Sequence, residues 1–149
     1  MGNKLNGLGS GSFRFNELMF FLSVTSLTRQ NQGITFSRLK FPPNLTSIDT
    51  YLSVWLCAQI YDFPPTLTSL ASPFWLRLQG DKIFIFRSET PPTPGSNYFA
   101  NGKDKVKKIY VPSAYMTAYQ NHETWGQFTS KMIQLEGSKY EVFNEWDYD

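Results

Sequence analysis

FPPNLTSI at residues 41–48 and FPPTLTSL at residues 63–70 are one phrase written twice. The copies differ only at Asn44 against Thr66 and at Ile48 against Leu70. The step from Phe41 to Phe63 falls within the roughly 20–50-residue periods of repeat architectures, in which each unit buries its apolar face on the next. A stacked array of this kind works through its surface, so the phrase directs attention to binding and away from catalysis.

Working outward, each copy is preceded by an alternating apolar run. ITFSRLKF at 34–41 reads as a strand with one break in register, and IYDF at 60–63 precedes the second copy. Proline follows in both, and it stops a strand because it has no N–H for the ladder. KIFIF at 82–86 reads as a third strand, ended by the turn-rich SETPPTPGS. KKIYV at 107–111 reads as a fourth, stopped by Pro112. Apolar stretches at 51–58 and 74–78 follow the two phrases. The spacing predicts four strands, parallel and adjacent in chain order.

Alternate residues of a strand point to opposite faces. The residue before each proline is predicted to point inward, which puts Phe41, Leu39, Phe63, Tyr61, Val111 and Ile109 in the core. The opposite set is Arg38, Lys40, Ile60, Asp62, Lys108 and Tyr110. The third strand has no adjacent proline, so either Phe84 and Phe86 or Ile83 and Ile85 face outward. Its four apolar residues in a row also permit burial on both faces. Arg38, Lys40, Ile60, Asp62, Ile83, Ile85, Lys108 and Tyr110 are therefore the candidate partner-binding residues of the open sheet.

The ends differ in kind. MGNKLNGLGSGS at 1–12 is too polar and glycine-rich for a core and reads as a flexible arm. Within 13–28, Phe13 and Phe15 alternate like a strand, whereas Leu18, Phe21 and Leu22 are spaced like a helical turn; both readings stay open. Residues 1–33 are assigned as an N-terminal arm and cap, 34–88 as repeats, 89–135 as a closing module and 136–149 as a tail. In the closing module Pro112 suits a helix start, and Tyr115 with Tyr119 gives an i, i+4 stripe. Trp125, Phe128 and Met132 give a second stripe, expected to cap the array. Beyond Leu135 the chain is acidic, with Tyr140, Phe143, Trp146 and Tyr148 interleaved. Phe143, Trp146 and Tyr148 are the candidate anchors of this tail on a neighbouring subunit.

Composition sets the bounds. The chain has 149 residues, enough for one domain with a real core. Charged and aromatic residues each make up 17%, a balance that predicts some aromatics on the surface, where partners bind. A net charge of +2 does not argue for nucleic acid. No apolar run approaches the ~20 residues of a membrane span, so no membrane insertion is expected. LMFFLSV at 18–24 starts late and lacks a clear cleavage site, so a secretory signal is not expected. The single Cys57 sits in the apolar run VWLCA and reads as a buried free thiol.

Catalytic constellations fail one by one. His122 is the only histidine and stands in the polar loop QNHET, so no multi-histidine metal site can form. No nucleophile elbow, P-loop or dinucleotide fingerprint is present. The G-x-G within 5–12 follows no strand. Glu136, Glu141 and Glu145 read as a solvated acidic face. The Asn44-Leu45-Thr46 sequon is accounted for by the repeat phrase itself. Lys103, Lys105, Lys107 and Lys108 read as a solvated basic loop. No cofactor, no metal and no enzymatic activity are expected.

LKFPPNLTSI at 39–48 and IYDFPPTLTSL at 60–70 resemble units of the BspA-like bacterial surface-antigen class of leucine-rich repeats. Residues 89–128 resemble the module that closes those arrays, through Thr90-Pro91-Pro92, Tyr98-Phe99, Ile109-Tyr110-Val111-Pro112, Ala118-Tyr119 and Trp125. The likeness covers roughly 34–133. It implies an α/β-type solenoid, a short leucine-rich-repeat array with stacked short strands, long irregular turns and a C-terminal helical cap. It also implies a non-catalytic binding or structural role, with other protein subunits as partners in a larger or homo-oligomeric assembly. The closing module also occurs in phage virion proteins, which need no signal peptide, so a virion component is the expected setting. The alternative is a bacterial cell-surface or secreted adhesin binding a host protein or glycan.

Overall fold

A computed structural model describes residues 14–19, 26–27, 34–41, 43–48, 56–70, 80–95 and 102–142. These residues fold as α/β, with parallel strands in two sheets and few helices. The strands are β1 (Arg14–Met19), β2 (Ser26–Leu27), β3 (Ile34–Lys40), β4 (Ser47–Ile48), β5 (Leu56–Phe63), β6 (Ser69–Leu70), β7 (Lys82–Phe86), β8 (Thr93–Pro94), β9 (Val106–Val111) and β10 (Met132–Gln134). The larger sheet runs β1-β3-β5-β7-β9-β10 and the smaller one β2-β4-β6-β8. Every neighbouring pair is parallel. Long strands and short strands alternate along the chain from β1 to β8, so each repeat phrase carries the chain from one sheet to the other.

The strands expected at 34–41, 60–63, 82–86 and 107–111 are present, adjacent in that order and parallel. Arg38 pairs with Ile60, Ile60 with Ile83 and Ile83 with Lys108, so the step between units lengthens slightly along the array. The second strand begins earlier than expected, at Leu56, so the apolar stretch at 51–58 ends as strand. The segment at 13–28, open between strand and helix, contains β1 and β2. β1 pairs with β3, and Ser26-Leu27 pairs with Ser47-Ile48, one repeat further on.

The LTS phrase repeats because its backbone and hydroxyls join one copy to the next. Thr68 N and Thr68 Oγ1 both donate to the carbonyl of Thr46, each at 2.9 Å. Thr66 Oγ1, at the position where the first copy has Asn44, is shared between the carbonyls of Pro43 (2.7 Å) and Leu45 (2.8 Å). The ladder continues through Thr93 N to Thr68 O at 2.9 Å and Gly95 N to Leu70 O at 2.7 Å. Thr93-Pro94, predicted as turn, is thereby the last strand of the smaller sheet. Pro94 is tolerated there because β8 is the edge strand of that sheet.

The core lies between the sheets. Leu39, Phe41, Tyr61, Phe63, Phe84, Phe86, Ile109 and Val111 from the larger sheet meet Leu45, Ile48, Leu67 and Leu70. The predicted inward set is buried throughout. Phe41 stacks on Phe63 at 5.3 Å and Phe63 on Phe86 at 4.9 Å, with ring planes 6° and 13° apart. Trp125 ends this column edge-on against Phe86 at 4.8 Å, with its indole Nε1 donating to Pro92 O at 2.8 Å. Each aromatic pair adds about 0.5–1.5 kcal/mol beyond area burial.

The closing segment departs from a run of cap helices. Ser113–Tyr115 is a 3₁₀ turn, α1 spans Met116–Asn121 and Trp125–Lys131 is 3₁₀ with a break at Phe128. In a 3₁₀ helix residues i and i+3 eclipse, which keeps Trp125 and Phe128 on one buried face. Met132, the third member of the predicted stripe, instead starts β10 and pairs with Ile109. Tyr119 is buried from α1 and donates to Ser88 O at 3.0 Å. Residues 1–12, Tyr98-Phe99, Phe143, Trp146 and Tyr148 lie outside the described residues, as does the side chain of Cys57.

Candidate interaction face

The outward side of the larger sheet carries the candidate residues in two rows. One row is Arg38, Ile60, Ile83 and Lys108; the other is Lys40, Asp62, Ile85, Tyr110 and Ile133. Strand pairing thus brings the sheet candidates together on one face. Their exposure differs sharply. Lys108 is exposed, Arg38, Ile60 and Ile83 are half-buried, and Lys40, Asp62, Ile85 and Tyr110 are buried. Phe84 and Phe86 point into the main core, which sets the phase of β7 and puts Ile83 and Ile85 on the outward side.

The cover comes from the chain's own C-terminal segment. Ile85, Tyr110, Leu135 and Tyr140 form a second buried cluster, with Ile60, Ile83 and Ile133 packed against it. Tyr140 sits edge-on to Tyr110 at 4.9 Å. This cluster also explains why no aromatic is exposed among the residues whose burial is described. The rings either join the core column or fill this second layer.

Charge at the centre of the face is paired. Asp62, fully buried, accepts from Arg38 Nη2 at 2.7 Å and from Arg87 Nε at 2.7 Å and Nη2 at 3.1 Å. Arg87 then reaches the covering segment, donating to the carbonyls of Tyr140 (2.6 Å) and Glu141 (2.8 Å). Arg38 lies over the Tyr140 ring at 5.6 Å, and its Nε is buried with no hydrogen-bond partner. Arg87 was not among the sequence-derived candidates. Its only local sign is a cation directly after an apolar strand; the acid it serves is 25 residues away.

Elsewhere the polar groups bond to backbone or to one another. His122 Nδ1 accepts from Thr124 N (3.1 Å) and Trp125 N (3.4 Å), holding the start of the 3₁₀ segment. Burial lowers its pKa below the ordinary value, against a smaller upward pull from Glu123. Glu136 Oε2 accepts from Ser113 N at 2.8 Å, and backbone hydrogen bonds hold its carboxyl below the usual range. The basic cluster is not one loop: Lys103 and Lys105 lie on a 3₁₀ turn, where Lys105 faces Asp104 at 3.4 Å, whereas Lys107 and Lys108 lie on β9, where Lys107 faces Asp81 at 3.6 Å, and both pairs are exposed and weak. Lys131 Nζ donates to Val106 O at 2.6 Å and lies over Phe128. Among the described residues no cluster of three His, Cys, Asp or Glu could hold a metal ion, and no helix is long and apolar enough to cross a membrane.

No family model matches the chain, and no curated protein matches it either.

Proposed function

We propose that the chain is a short leucine-rich-repeat solenoid acting as a non-catalytic structural or adhesive interaction module within a phage virion, in the tail, fibre or capsid-associated layer. The observation that carries the reading is the coupling of phrase to ladder. Each copy of the FPP-LTS phrase sits one strand further along both sheets, with Phe41, Phe63 and Phe86 stacked in line. Trp125 then closes the column, the role a closing module has in such an array. Partners in this reading are other protein subunits. They meet the half-exposed and exposed residues Arg38, Ile60, Ile83 and Lys108, and the tail residues Phe143, Trp146 and Tyr148.

The test is peptide mass spectrometry on density-purified particles from the producing cells, with antibody labelling to place the protein. Stoichiometric recovery with the particle supports the reading. Recovery only from the cell envelope or medium overturns it in favour of the adhesin.

A further inference from the structure

The outward sheet face is closed by a segment that a single side chain anchors. Of residues 136–142 only Tyr140 is buried, and Val142 is 66% exposed. Arg87 adds two bonds, both to main-chain carbonyls, and at the base of the segment Glu136 Oε2 accepts from Ser113 N and Ser138 N donates to Leu135 O. Beneath the segment lie Ile60, Ile83, Ile85 and Tyr110, an apolar strip with its central acid already neutralised by Arg38 and Arg87.

We infer that residues 137–142 form an exchangeable strap, and that the sheet face accepts the same strap from a second copy of this chain. The inference rests on the reading of the protein as an assembly subunit. The chain is fixed up to Glu136, whose carboxylate holds Ser113 N. The next residue, Gly137, has φ +76 and open space around it, so it can redirect the chain with little steric penalty. Beyond it one bond crosses back over the hinge, from Ser138 N to Leu135 O at 3.1 Å, and the rest tie the strap to itself. Gly137 N donates to Glu141 Oε2 at 3.0 Å, Glu141 N to Ser138 O at 3.1 Å and Tyr140 N to Ser138 Oγ at 3.2 Å. Breaking that one backbone bond frees it to move as a preformed unit about Gly137.

A second copy's strap makes the same contacts the resident one makes. Arg87 reads two backbone carbonyls, and the slot beside Tyr110 and Arg38 takes one tyrosine ring. Cis and trans docking then differ in hinge conformation, in the one backbone bond from Ser138 N to Leu135 O, and in local concentration, close to the condition under which element exchange becomes a low-cost route to association. High subunit density favours the trans form.

The test places a photoreactive benzoylphenylalanine at position 140 in a light-isotope copy and mixes it with uniformly heavy wild-type protein at rising concentration. Light-to-heavy crosslinks from position 140 to peptides containing Tyr110 or Arg87, growing with concentration, are the expected result. Crosslinks confined to light–light pairs within one chain at every concentration overturn the inference. A second measurement guards against a poorly docking probe: Arg87→Ala, with an intact strap, is mixed with Tyr140→Ala, with an intact face. One-to-one association of the pair on size-exclusion chromatography, absent for either alone, supports exchange, and its absence overturns it. A dimer without position-140 crosslinks refutes the strap while leaving the assembly reading standing.

Discussion

Asp62→Ala tests how the outward face is held. The carboxylate is fully buried and makes three contacts of 2.7, 2.7 and 3.1 Å to two guanidinium groups. Arg87 is only 7% exposed and Arg38 23%, so removing the acid leaves one cation almost wholly buried and a second partly so. Breaking one partner out of a buried charge cluster typically costs about 3–5 kcal/mol. That is a large share of the roughly 5–15 kcal/mol that holds an ordinary domain together. Arg87 also carries the strap, so the substitution is expected to raise amide exchange at 137–142 before global unfolding. The assay is urea denaturation followed by tryptophan fluorescence, paired with hydrogen exchange read by mass spectrometry. The triple replacement Arg38→Met, Asp62→Leu, Arg87→Met is expected to restore much of the global stability while leaving the strap loose. A loss below about 1 kcal/mol for Asp62→Ala, the range of an exposed pair, would refute the reasoning.

Trp125→Ala is expected to lose about 3–5 kcal/mol in denaturant titration, as a buried large aromatic. Trp125→Phe, which keeps a ring but drops the bond to Pro92 O, is expected to lose less. Gly126→Ala should destabilise by about 1–3 kcal/mol through overpacking, since a Cβ there runs into the Gln120 carbonyl oxygen; thermal melts measure it. His122 supplies a pH dependence. Its folded pKa lies below the ordinary 6.5, so its contribution is complete above that value and fades as pH falls through the lowered one. Melting temperature should therefore drop on acidification from neutral pH, and the drop should shrink in His122→Asn.

Much of the architecture was legible in the chain. The doubled phrase carried the period, and proline after Phe41, Phe63 and Val111 carried the phase, because a strand with period-two side chains has only two choices. The N-terminal strands were readable in retrospect. Val24-Thr25-Ser26-Leu27 stands one repeat ahead of Leu45-Thr46-Ser47-Ile48, but no proline pair marks it. The strand Met132–Gln134 was hidden because Trp125, Phe128 and Met132 share a spacing that suits a helix and that a 3₁₀ turn followed by a strand satisfies equally.

The sequence by itself determined which residues repeat, which of them enter the core and in what order the strands lie. Those are local properties, set by side-chain alternation and by where an N–H is missing. Only the tertiary structure decided what becomes of the opposite face. Burial of Asp62, Ile85 and Tyr110 depends on Tyr140 and Arg87 arriving from other units, with Arg87 and the Tyr140 carbonyl 53 residues apart along the chain. No pattern within a strand encodes that encounter. It follows from the geometry that brings β5, β7 and β9 side by side and returns the chain across them.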